Sequence, residues 1–385
     1  ELMAARAAGL AIVRRAEMLA ELMKPLEAVA VAGTHGKTTT TTMVAALLEA
    51  GGLDPSVVNG GVINAYGSNA KTGKGRWMVV EADESDGTFL KLPARAAVVT
   101  NVDPEHLDHF KTYDAVKAAF RSFIEGVPFY GFAAVCADHA PTMEIAAAIR
   151  DRRILSYGFA EGADVRAGNL SADRNGMVFD VTFSARVTGG AATLKGVHLP
   201  MPGRHNVANA LAAMTVAREL GVADADAVKG LAAFEGVQRR FTRVGVWNCV
   251  TVIDDYSHNP PKIAAAIEAA RQMAEGRVIA VVQPHRFTRV RDLWDGFVGC
   301  MDGADVAIVS DIYTAGETPI EGVTGAALAE AIGRHGHADA RYLPSPDDLP
   351  ALVRAIAKPG DYVIVLGAGS NTYWAKKLPS QLAAS

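Results

Sequence analysis

The sequence predicts an α/β fold, in which helices cover both faces of mainly parallel sheets. Short apolar runs that suit buried strands alternate with stretches at helical spacing, a pattern typical of parallel sheets. Several of these runs end in polar residues, and in such sheets functional side chains lie at the carboxyl ends of the strands. With 385 residues the chain is too long for one hydrophobic core, so two or three domains are expected.

The composition excludes several broad classes of protein. Half of the residues are apolar and 21% are charged, which is typical of a globular protein. The net charge of −4 provides no general attraction to nucleic acid, and no apolar run reaches the roughly 18 residues of a membrane span, so neither partner is expected. Cys136, Cys249 and Cys300 lie far apart, which excludes a disulfide scaffold and indicates a reducing cytoplasm.

The first elements lead to a glycine turn. Apolar residues at near-helical spacing predict a helix within residues 1–24, which is interpreted as a connector from a preceding domain because it leads directly into a strand. Since the chain also lacks an initiator Met, it is expected to begin partway into a longer protein. A short apolar strand follows at Ala28–Ala32. After the turn a helix is predicted over Thr38–Glu49, which Gly51 and Gly52 would end.

The next elements extend this first sheet. Buried strands are predicted at Trp77–Val80 and Ala96–Val99, and a helix at Tyr113–Glu125. Polar and apolar residues alternate within 154–200, which predicts antiparallel hairpins appended to the sheet. A helix returns at Asn206–Leu220.

A second α/β pattern begins after Arg243, so residues 25–242 and 243–385 are assigned to two domains. The strands of the second domain are predicted as short apolar runs at Val250–Ile253, Val278–Val282, Val306–Val309 and Tyr362–Leu366.

The strongest chemical motif is the glycine turn Gly33–Thr39, between the first strand and its helix. Backbone N–H groups of such a turn at a helix N-terminus form an anion site, to which Lys37 adds a positive charge and Thr38 a hydroxyl for Mg²⁺. The alternative is a plain glycine turn with an exposed lysine. The preceding strand and the run of threonines favour phosphate binding.

Two further loops follow strands and carry candidate metal ligands. Glu81–Asp86 holds four acids in six residues, which repel one another unless a cation is present, so Glu81 is a predicted Mg²⁺ ligand; the alternative is a solvated acidic loop. The loop at 101–109 could be a zinc site, a second magnesium site or a polar loop. The nearby phosphate loop favours magnesium, with His106 as a nitrogen ligand.

Other polar residues flank the predicted second domain. Three polar residues fall within one helical turn and could form hydrogen bonds with the edge of an adenine: His205, Asn206 and Asn209. The alternative is that Asn206 is a helix N-cap. Arg239 and Arg240 are either a surface pair or are placed at the domain boundary to reach a phosphate.

Two loops of the second domain complete the candidate set. Asp255 follows one strand, where an acid suits ribose hydroxyls, and Arg286 with Arg289 would form a fork for a carboxylate after the next strand. The alternative is a pair of ordinary polar loops.

Seven motifs resemble the Mur ligases in the same order over nearly the whole chain: GTHGKTTT at 33–40, EADESD at 81–86, NVDPEHLDH at 101–109, PGRHNVANA at 202–210, RRFTR at 239–243, DDYSHNP at 254–260 and PHRFTR at 284–289. The resemblance implies a central P-loop ATPase domain with a parallel sheet and a Rossmann-like C-terminal domain on the amino-acid side. The UDP-binding domain that the family places first is expected to be absent here.

The resemblance also implies an activity. It indicates an ATP-dependent, amide-forming ligase of peptidoglycan synthesis, which joins L-alanine to the lactyl carboxylate of UDP-N-acetylmuramate through an acyl phosphate. ATP and two Mg²⁺ ions, for which Mn²⁺ can substitute, are implied, as is a monomer or weak homodimer. The alternatives are a ligase that adds a preformed tripeptide to the same sugar and an inactive ATP-binding fragment.

The motifs and the resemblance together give the candidate site residues. Those with a catalytic role are Lys37, His106 and Arg240. Those expected to bind ATP are Gly33, Thr34, His35, Gly36, Lys37, Thr38, Thr39, His205, Asn206, Asn209, Arg240 and Asp255. Those expected to hold metal are Thr38, Glu81 and His106. Those expected to bind substrate are Asn59, Gly60, His205, Tyr256, His258, His285, Arg286 and Arg289.

Two departures from the family pattern affect this assignment. The family usually reads DDYGHHP, whereas this chain has Ser257 and Asn259, so the role of the second histidine is not carried over. Several sibling ligases have a carbamylated lysine where this chain reads Ala118–Arg121, so no such modification is expected.

Overall fold

A computed structural model describes residues 1–173 and 175–384. The described chain divides into two compact units. The first holds nearly all of the chain up to Val237, and the second holds the chain from Gln238 onward together with two short earlier segments. Each unit contains one sheet with helices packed against it, which confirms the predicted α/β class.

The first unit is built on a ten-stranded sheet with the order β10-β9-β8-β7-β6-β5-β1-β4-β2-β3. Its strands are β1 (Glu27–Ala32), β2 (Ser56–Ile63), β3 (Ser68–Lys71), β4 (Trp77–Glu81), β5 (Ala96–Val99), β6 (Phe132–Cys136), β7 (Ile154–Gly158), β8 (Val165–Asp173), β9 (Gly176–Phe183) and β10 (Ala192–Leu199).

The centre of this sheet is parallel, because β1 pairs in parallel with both β4 and β5, and the pairing continues in parallel through β6 to β7 and β8. Strands β1, β4, β5 and β6 are mostly apolar and buried on both faces, as a sheet covered by helices on both sides requires. The carboxyl ends of β1, β4 and β5 therefore bring the loops that begin at Gly33, Ala82 and Thr100 to one edge.

The antiparallel extension lies further along the chain than predicted. β9 pairs antiparallel with β10 at one end of the sheet, as the alternating pattern indicated. The prediction was wrong for residues 154–158, which form β7 and continue the parallel part. Four of these five residues are apolar or glycine, so they suit a parallel strand as well as a hairpin strand.

Eight helices accompany the first sheet in the described chain: α1 (Leu2–Ala7), α2 (Arg15–Met23), α3 (Lys37–Ala50), α4 (Leu107–Phe110), α5 (Tyr113–Glu125), α6 (Ala140–Ala148), α7 (Arg204–Glu219) and α8 (Asp224–Ala232). The predicted helix over residues 1–24 is two short helices, because Gly9 adopts a φ of 66° between them. α7 begins at Arg204, so Asn206 lies inside the first turn and is not its N-cap.

The second unit has a six-stranded sheet with the order β11-β12-β16-β13-β14-β15. Its strands are β11 (Thr242–Trp247), β12 (Val250–Asp255), β13 (Val278–Val282), β14 (Val306–Ser310), β15 (Ala340–Leu343) and β16 (Tyr362–Leu366). Its helices are α9 (Pro260–Met273), α10 (Phe287–Asp292), α11 (Trp294–Gly299), α12 (Gly325–His335), α13 (Leu349–Ile356) and α14 (Asn371–Ala383).

Alternate residues of the central strands of this second sheet face two separate cores. Ala280 and Ile364 belong to one core, whereas the neighbouring Ile279 and Val363 belong to the other. Helices therefore cover both faces, as in the first unit. Across both described ranges, no helix combines the length and the apolar composition needed to cross a membrane.

Candidate active site

The turn between β1 and α3 has a conformation that requires glycine at two positions. Gly33 has a φ of 134° and Gly36 a φ of 81°. A Cβ atom on Gly33 would lie 2.0 Å from the Oγ1 of Thr100, and one on Gly36 would lie 2.7 Å from the Oδ1 of Asn209. The close fit places the first amides of the 14-residue helix α3 at the carboxyl edge of the sheet, where N–H groups without a helical partner can bind an anion.

The end of β5 holds this turn from the side. Asn101 accepts from the backbone N–H of Thr34 (3.1 Å) through its carbonyl and from that of His35 (2.7 Å) through its side chain. The hydroxyl of Thr100 donates to the carbonyl of His35 at 2.5 Å. The Oγ1 of Thr34 accepts from the backbone N–H of Asp103 at 2.8 Å. The turn is thus preorganised by residues that the motif alone did not identify.

Lys37 begins α3 and folds back over the turn. Its Nζ donates to the carbonyl of Gly33 at 2.6 Å and lies 3.0 and 2.9 Å from the two carboxylate oxygens of Glu84. The predicted phosphate-binding lysine is therefore at the turn, and its ammonium is paired with a carboxylate. Glu84 was not among the predicted site residues.

Thr38 and Glu81, the two predicted ligands of one magnesium ion, lie next to each other. The hydroxyl of Thr38 lies 3.2 Å from Glu81 Oε1, while Glu81 Oε2 accepts from the backbone N–H of Gly60 at 2.7 Å. Both groups offer the oxygen atoms that Mg²⁺ prefers. Among the described residues no cluster of three or more His, Cys, Asp or Glu side chains suits a metal. The pair still fits Mg²⁺, which is usually held by one or two carboxylates plus substrate phosphates and water.

His106 lies beside Glu84. Its Nε2 is 3.6 Å from Glu84 Oε1, and its backbone is in the left-handed region with a φ of 58°. The neighbouring Glu84 carboxylate raises the pKa of His106, and burial acts in the opposite direction. The role of His106 as a ligand of a second magnesium ion stays a prediction.

The polar residues at the start of α7 lie against α3. Asn209 accepts from the hydroxyl of Thr40 at 3.1 Å, and its amide lies 3.4 Å from Asn206 Oδ1. Both asparagines are buried, whereas His205 is exposed. Thr39 is buried in the same part of α3. Adenine recognition by these residues stays a prediction.

Asn59 has a structural contact that its sequence position did not indicate. Its side chain is buried and donates to the hydroxyl of Thr42 in α3 at 2.8 Å. At this position the backbone N–H of Gly60, and not the Asn59 side chain, contacts the predicted metal ligand Glu81. Substrate binding by Asn59 and Gly60 stays a prediction.

In the second unit, the loop after β12 is closed by its own hydrogen bonds. Asp255 accepts from the backbone N–H groups of Phe241 (2.7 Å) and Ser257 (2.8 Å), and from the Ser257 hydroxyl (2.5 Å). Asn259 is the N-cap of α9, where its side chain accepts from the N–H of Lys262 at 3.2 Å. Ser257 and Asn259, which differ from the usual family sequence DDYGHHP, therefore both have local hydrogen-bond partners. Ribose binding by Asp255 stays a prediction.

A second set of predicted residues gathers around two histidines. His285 stacks on Tyr313, with ring centroids 5.4 Å apart, and lies 6.1 Å from the ring of His258. Arg289 donates to His285 Nδ1 at 3.2 Å, whereas Arg286 is exposed and has a φ of 70°. Carboxylate binding by Arg286 and Arg289 stays a prediction. Tyr313 was missed because it follows a different strand, β14.

Two arginines cover the ring of Tyr256. The guanidinium carbons of Arg239 and Arg240 lie 4.7 and 5.2 Å from the ring centroid. Arg239 also donates to the carbonyl of Gly367 at 2.9 Å. Arg239 therefore has a structural contact in this unit, and the catalytic role of Arg240 stays a prediction.

His258 makes the stability of the protein depend on pH. Burial lowers the pKa of His258 from 6.5 to about 3, although its Nδ1 lies 2.8 Å from the carbonyl of Tyr256. Between these values the unfolded chain binds a proton that folded His258 does not, so stability falls as the pH falls from 6.5 toward 3. We expect His258→Gln to reduce the slope of unfolding free energy against pH by up to about 1.4 kcal/mol per pH unit. Urea unfolding at several pH values measures this, and an unchanged slope would contradict it.

The features of the first unit define a class of protein. A glycine turn between a buried parallel strand and a helix, with a lysine that begins the helix and a threonine–carboxylate pair beside it, is the arrangement of a phosphate-loop nucleotide-binding domain. Residues 31–217 match the model of the Mur ligase middle domain, and residues 239–369 match that of the Mur ligase, glutamate ligase domain. The chain belongs to the Mur ligase family.

Known relatives resemble the chain along its whole length. The UDP-N-acetylmuramate–L-alanine ligase of Bradyrhizobium sp. (strain ORS 278) is 58% identical over 384 residues, which cover 100% of this chain and 82% of that protein. The ligase of the same name from Rhizobium johnstonii is 57% identical over 99% of this chain and 81% of that protein. The crystal structure of the UDP-N-acetylmuramate-alanine ligase MurC from Thermotoga maritima has a TM-score of 0.82 at 25% identity, covering 99% of this chain and 82% of that one.

Proposed function

We propose that this chain is an ATP-dependent ligase that joins L-alanine to the lactyl carboxylate of UDP-N-acetylmuramate. The observation that carries the proposal is the phosphate loop, with Lys37 at the head of α3 and the Thr38–Glu81 pair beside it. The substrates are those in the names of the relatives that are 57 and 58% identical over nearly the whole chain.

The first step joins two anions, and the loop supplies positive charge for it. A lactyl carboxylate oxygen attacks the γ-phosphorus of ATP, and the bond between this phosphorus and the β–γ bridging oxygen breaks. The products of this step are ADP and an acyl phosphate. Charge develops on the phosphoryl oxygens, which the ammonium of Lys37 and the amides at the start of α3 stabilise. Mg²⁺ held by Thr38 and Glu81 would supply further neutralisation of the phosphate oxygens.

The second step forms the amide. The amine of alanine attacks the acyl carbon, a tetrahedral intermediate forms, and phosphate leaves as the amine loses its proton. We assign the binding of alanine to the second unit, where Arg289 and the exposed Arg286 can hold its carboxylate. The other predicted substrate-binding residues of this unit lie in the loops after β12 and β13: Tyr256, His258 and His285. Burial also lowers the pKa of His285, so both imidazoles are neutral near pH 7 and add no positive charge beside the amine.

Substrate-dependent phosphate release tests the proposed reaction. We expect release from ATP to require both UDP-N-acetylmuramate and L-alanine. A preformed tripeptide should not replace alanine or compete with it. Efficient use of the tripeptide would favour the peptide-adding alternative, and the absence of release with any amine, from folded protein that binds ATP, would favour an ATP-binding protein without ligase activity.

The metal assignment predicts a specific defect in Glu81→Gln. The amide of Gln can still accept from Gly60 but lacks the charge that binds Mg²⁺, so we expect the Mg²⁺ concentration for half-maximal rate to rise about tenfold or more. Asp83→Asn, in the exposed part of the same loop, is the matched control and should leave it unchanged. Equal Mg²⁺ requirements for Glu81→Gln and the control would contradict the assignment.

Anomalous scattering tests the number of ions. A nucleotide-bound crystal soaked in Mn²⁺ should show one peak beside Thr38 and Glu81 and a second beside His106. A missing second peak would leave His106 with a role in ordering its loop.

A further inference from the structure

Glu84 is a buried carboxylate to which the proposed reaction assigns no role. It lies in the acidic loop after β4, and its side chain is only 2% exposed, whereas Asp83 and Asp86 of the same loop are exposed. A buried carboxylate is costly unless it is paired, so its partners are expected to matter.

The partners of Glu84 are two residues of the candidate active site. Both carboxylate oxygens lie within 3.0 Å of Lys37 Nζ, and Oε1 lies 3.6 Å from His106 Nε2. Burial acts to raise the pKa of Glu84, but the neighbouring His106 and the charge of Lys37 outweigh it, and the pKa lies below its ordinary value. The ion pair with Lys37 places this carboxylate between two groups that the reaction would direct at phosphate.

The donors of Lys37 are already occupied in this arrangement. An ammonium has three N–H donors, and those of Lys37 point at the carbonyl of Gly33, at Glu84 and, at a longer 3.5 Å, at the carbonyl of Thr34. A phosphate that enters the turn must take at least one of these donors. The carboxylate and the phosphate would then be two anions within a few ångströms of one ammonium, so they repel each other.

We propose that Glu84 is a positioning residue, which holds Lys37 and His106 at the turn and competes with the nucleotide phosphates for Lys37. This role rests on the proposed function, because it presupposes that the turn binds ATP. It separates two effects of the carboxylate: its charge weakens ATP binding, while its contacts hold the two side chains in place for phosphoryl transfer.

The variant Glu84→Gln tests both effects, since it keeps the shape of the side chain and removes the charge. We expect Kd for ATP, measured by calorimetry, to fall about tenfold and kcat to fall about tenfold or more. A purely structural role would weaken binding and turnover together. The gain in affinity should appear both in EDTA and with Mg²⁺, because it arises from Lys37 and not from a metal.

Three further variants make the outcome decisive. Asp83→Asn removes the same charge from the exposed part of the loop and should change neither Kd nor kcat. Glu84→Asp keeps the charge and shortens the reach, so its Kd should stay near that of the unmodified protein while its kcat falls. Lys37→Ala should weaken ATP binding.

Two results would overturn the inference. One is ATP affinity of Glu84→Gln that is unchanged or lower in EDTA. The other is a loss of affinity confined to Mg²⁺-containing buffer, which would make Glu84 a metal ligand. If Lys37→Ala also leaves ATP binding unchanged, the turn is not the phosphate site, and the proposed competition between Glu84 and phosphate fails with it. If Lys37→Ala weakens binding, only the role of Glu84 fails.

Discussion

Replacing Lys37 with Ala is expected to lower kcat about 100-fold or more, with a smaller effect on the KM values of the carboxylate and amine substrates. Lys37 begins α3, and its ammonium lies 2.6 Å from the carbonyl of Gly33, so it is held over the turn that would receive the phosphates. Negative charge on the γ-phosphoryl oxygens grows during transfer, so loss of the ammonium raises the free energy of the transition state more than that of the bound substrates.

The control for this variant is Lys24→Ala, which removes a lysine whose side chain is 62% exposed. Lys24 pairs with Glu21 on the surface, where an ion pair contributes little, so its loss should leave kcat unchanged. Steady-state kinetics of both variants give the comparison. Turnover by Lys37→Ala at the rate of the control would show that this turn is not the phosphate site.

Gly33→Ala is expected to remove ATP binding and to destabilise the protein by about 3 kcal/mol or more, through overpacking and backbone strain. The added Cβ would lie 2.0 Å from the Oγ1 of Thr100 and 3.0 Å from its backbone N, so the end of β5 would have to move. The φ of 134° at Gly33 is one that an alanine rarely adopts. Because the end of β5 holds His35, the clash would also disturb the turn.

Gly52→Ala is the matched control, because it separates strain from collision. Gly52 also has a positive φ, 74°, but a Cβ there would meet nothing within 4 Å. It should cost only about 1 kcal/mol and leave ATP binding intact. Thermal unfolding and calorimetric titration with ATP measure both variants. Similar losses of stability in the two would show that the contact with Thr100 is not what excludes a side chain at Gly33.

Most of the strands that were predicted from the sequence are buried on both faces, although β6, which is equally buried, was missed. β13 and β16 have the predicted bounds, because a parallel strand under two layers of helices is a continuous apolar run. β11 and β15 were not predicted. They are the two edge strands of their sheet, and of β15 only Leu343 is buried, so neither shows the apolar pattern.

The candidate site residues that were predicted from the sequence lie where a recognisable motif follows a strand. One residue that was missed, Glu84, is distinguished from its neighbours only by its burial in the folded protein. The turn Gly33–Thr39 follows β1, and Glu81 is the last residue of β4. In the structure the hydroxyl of Thr38 lies next to the carboxylate of Glu81. The acidic loop has four carboxylates, and the sequence does not show which of them turns inward to meet Lys37. That depends on the path of the loop after β4, which places Glu84 inside and Asp83 outside.

Oxygen transfer from substrate to phosphate tests the central claim most directly. UDP-N-acetylmuramate labelled with oxygen-18 in its lactyl carboxylate would be incubated with the protein, ATP, Mg²⁺ and L-alanine, and the released phosphate analysed by mass spectrometry. The carboxylate oxygen that attacks the γ-phosphorus stays with phosphate when the amine displaces it. The account therefore predicts one labelled oxygen in each phosphate released from fully labelled substrate. Phosphate formed without label would contradict it, because ATP would then be hydrolysed by water and not used to activate the carboxylate.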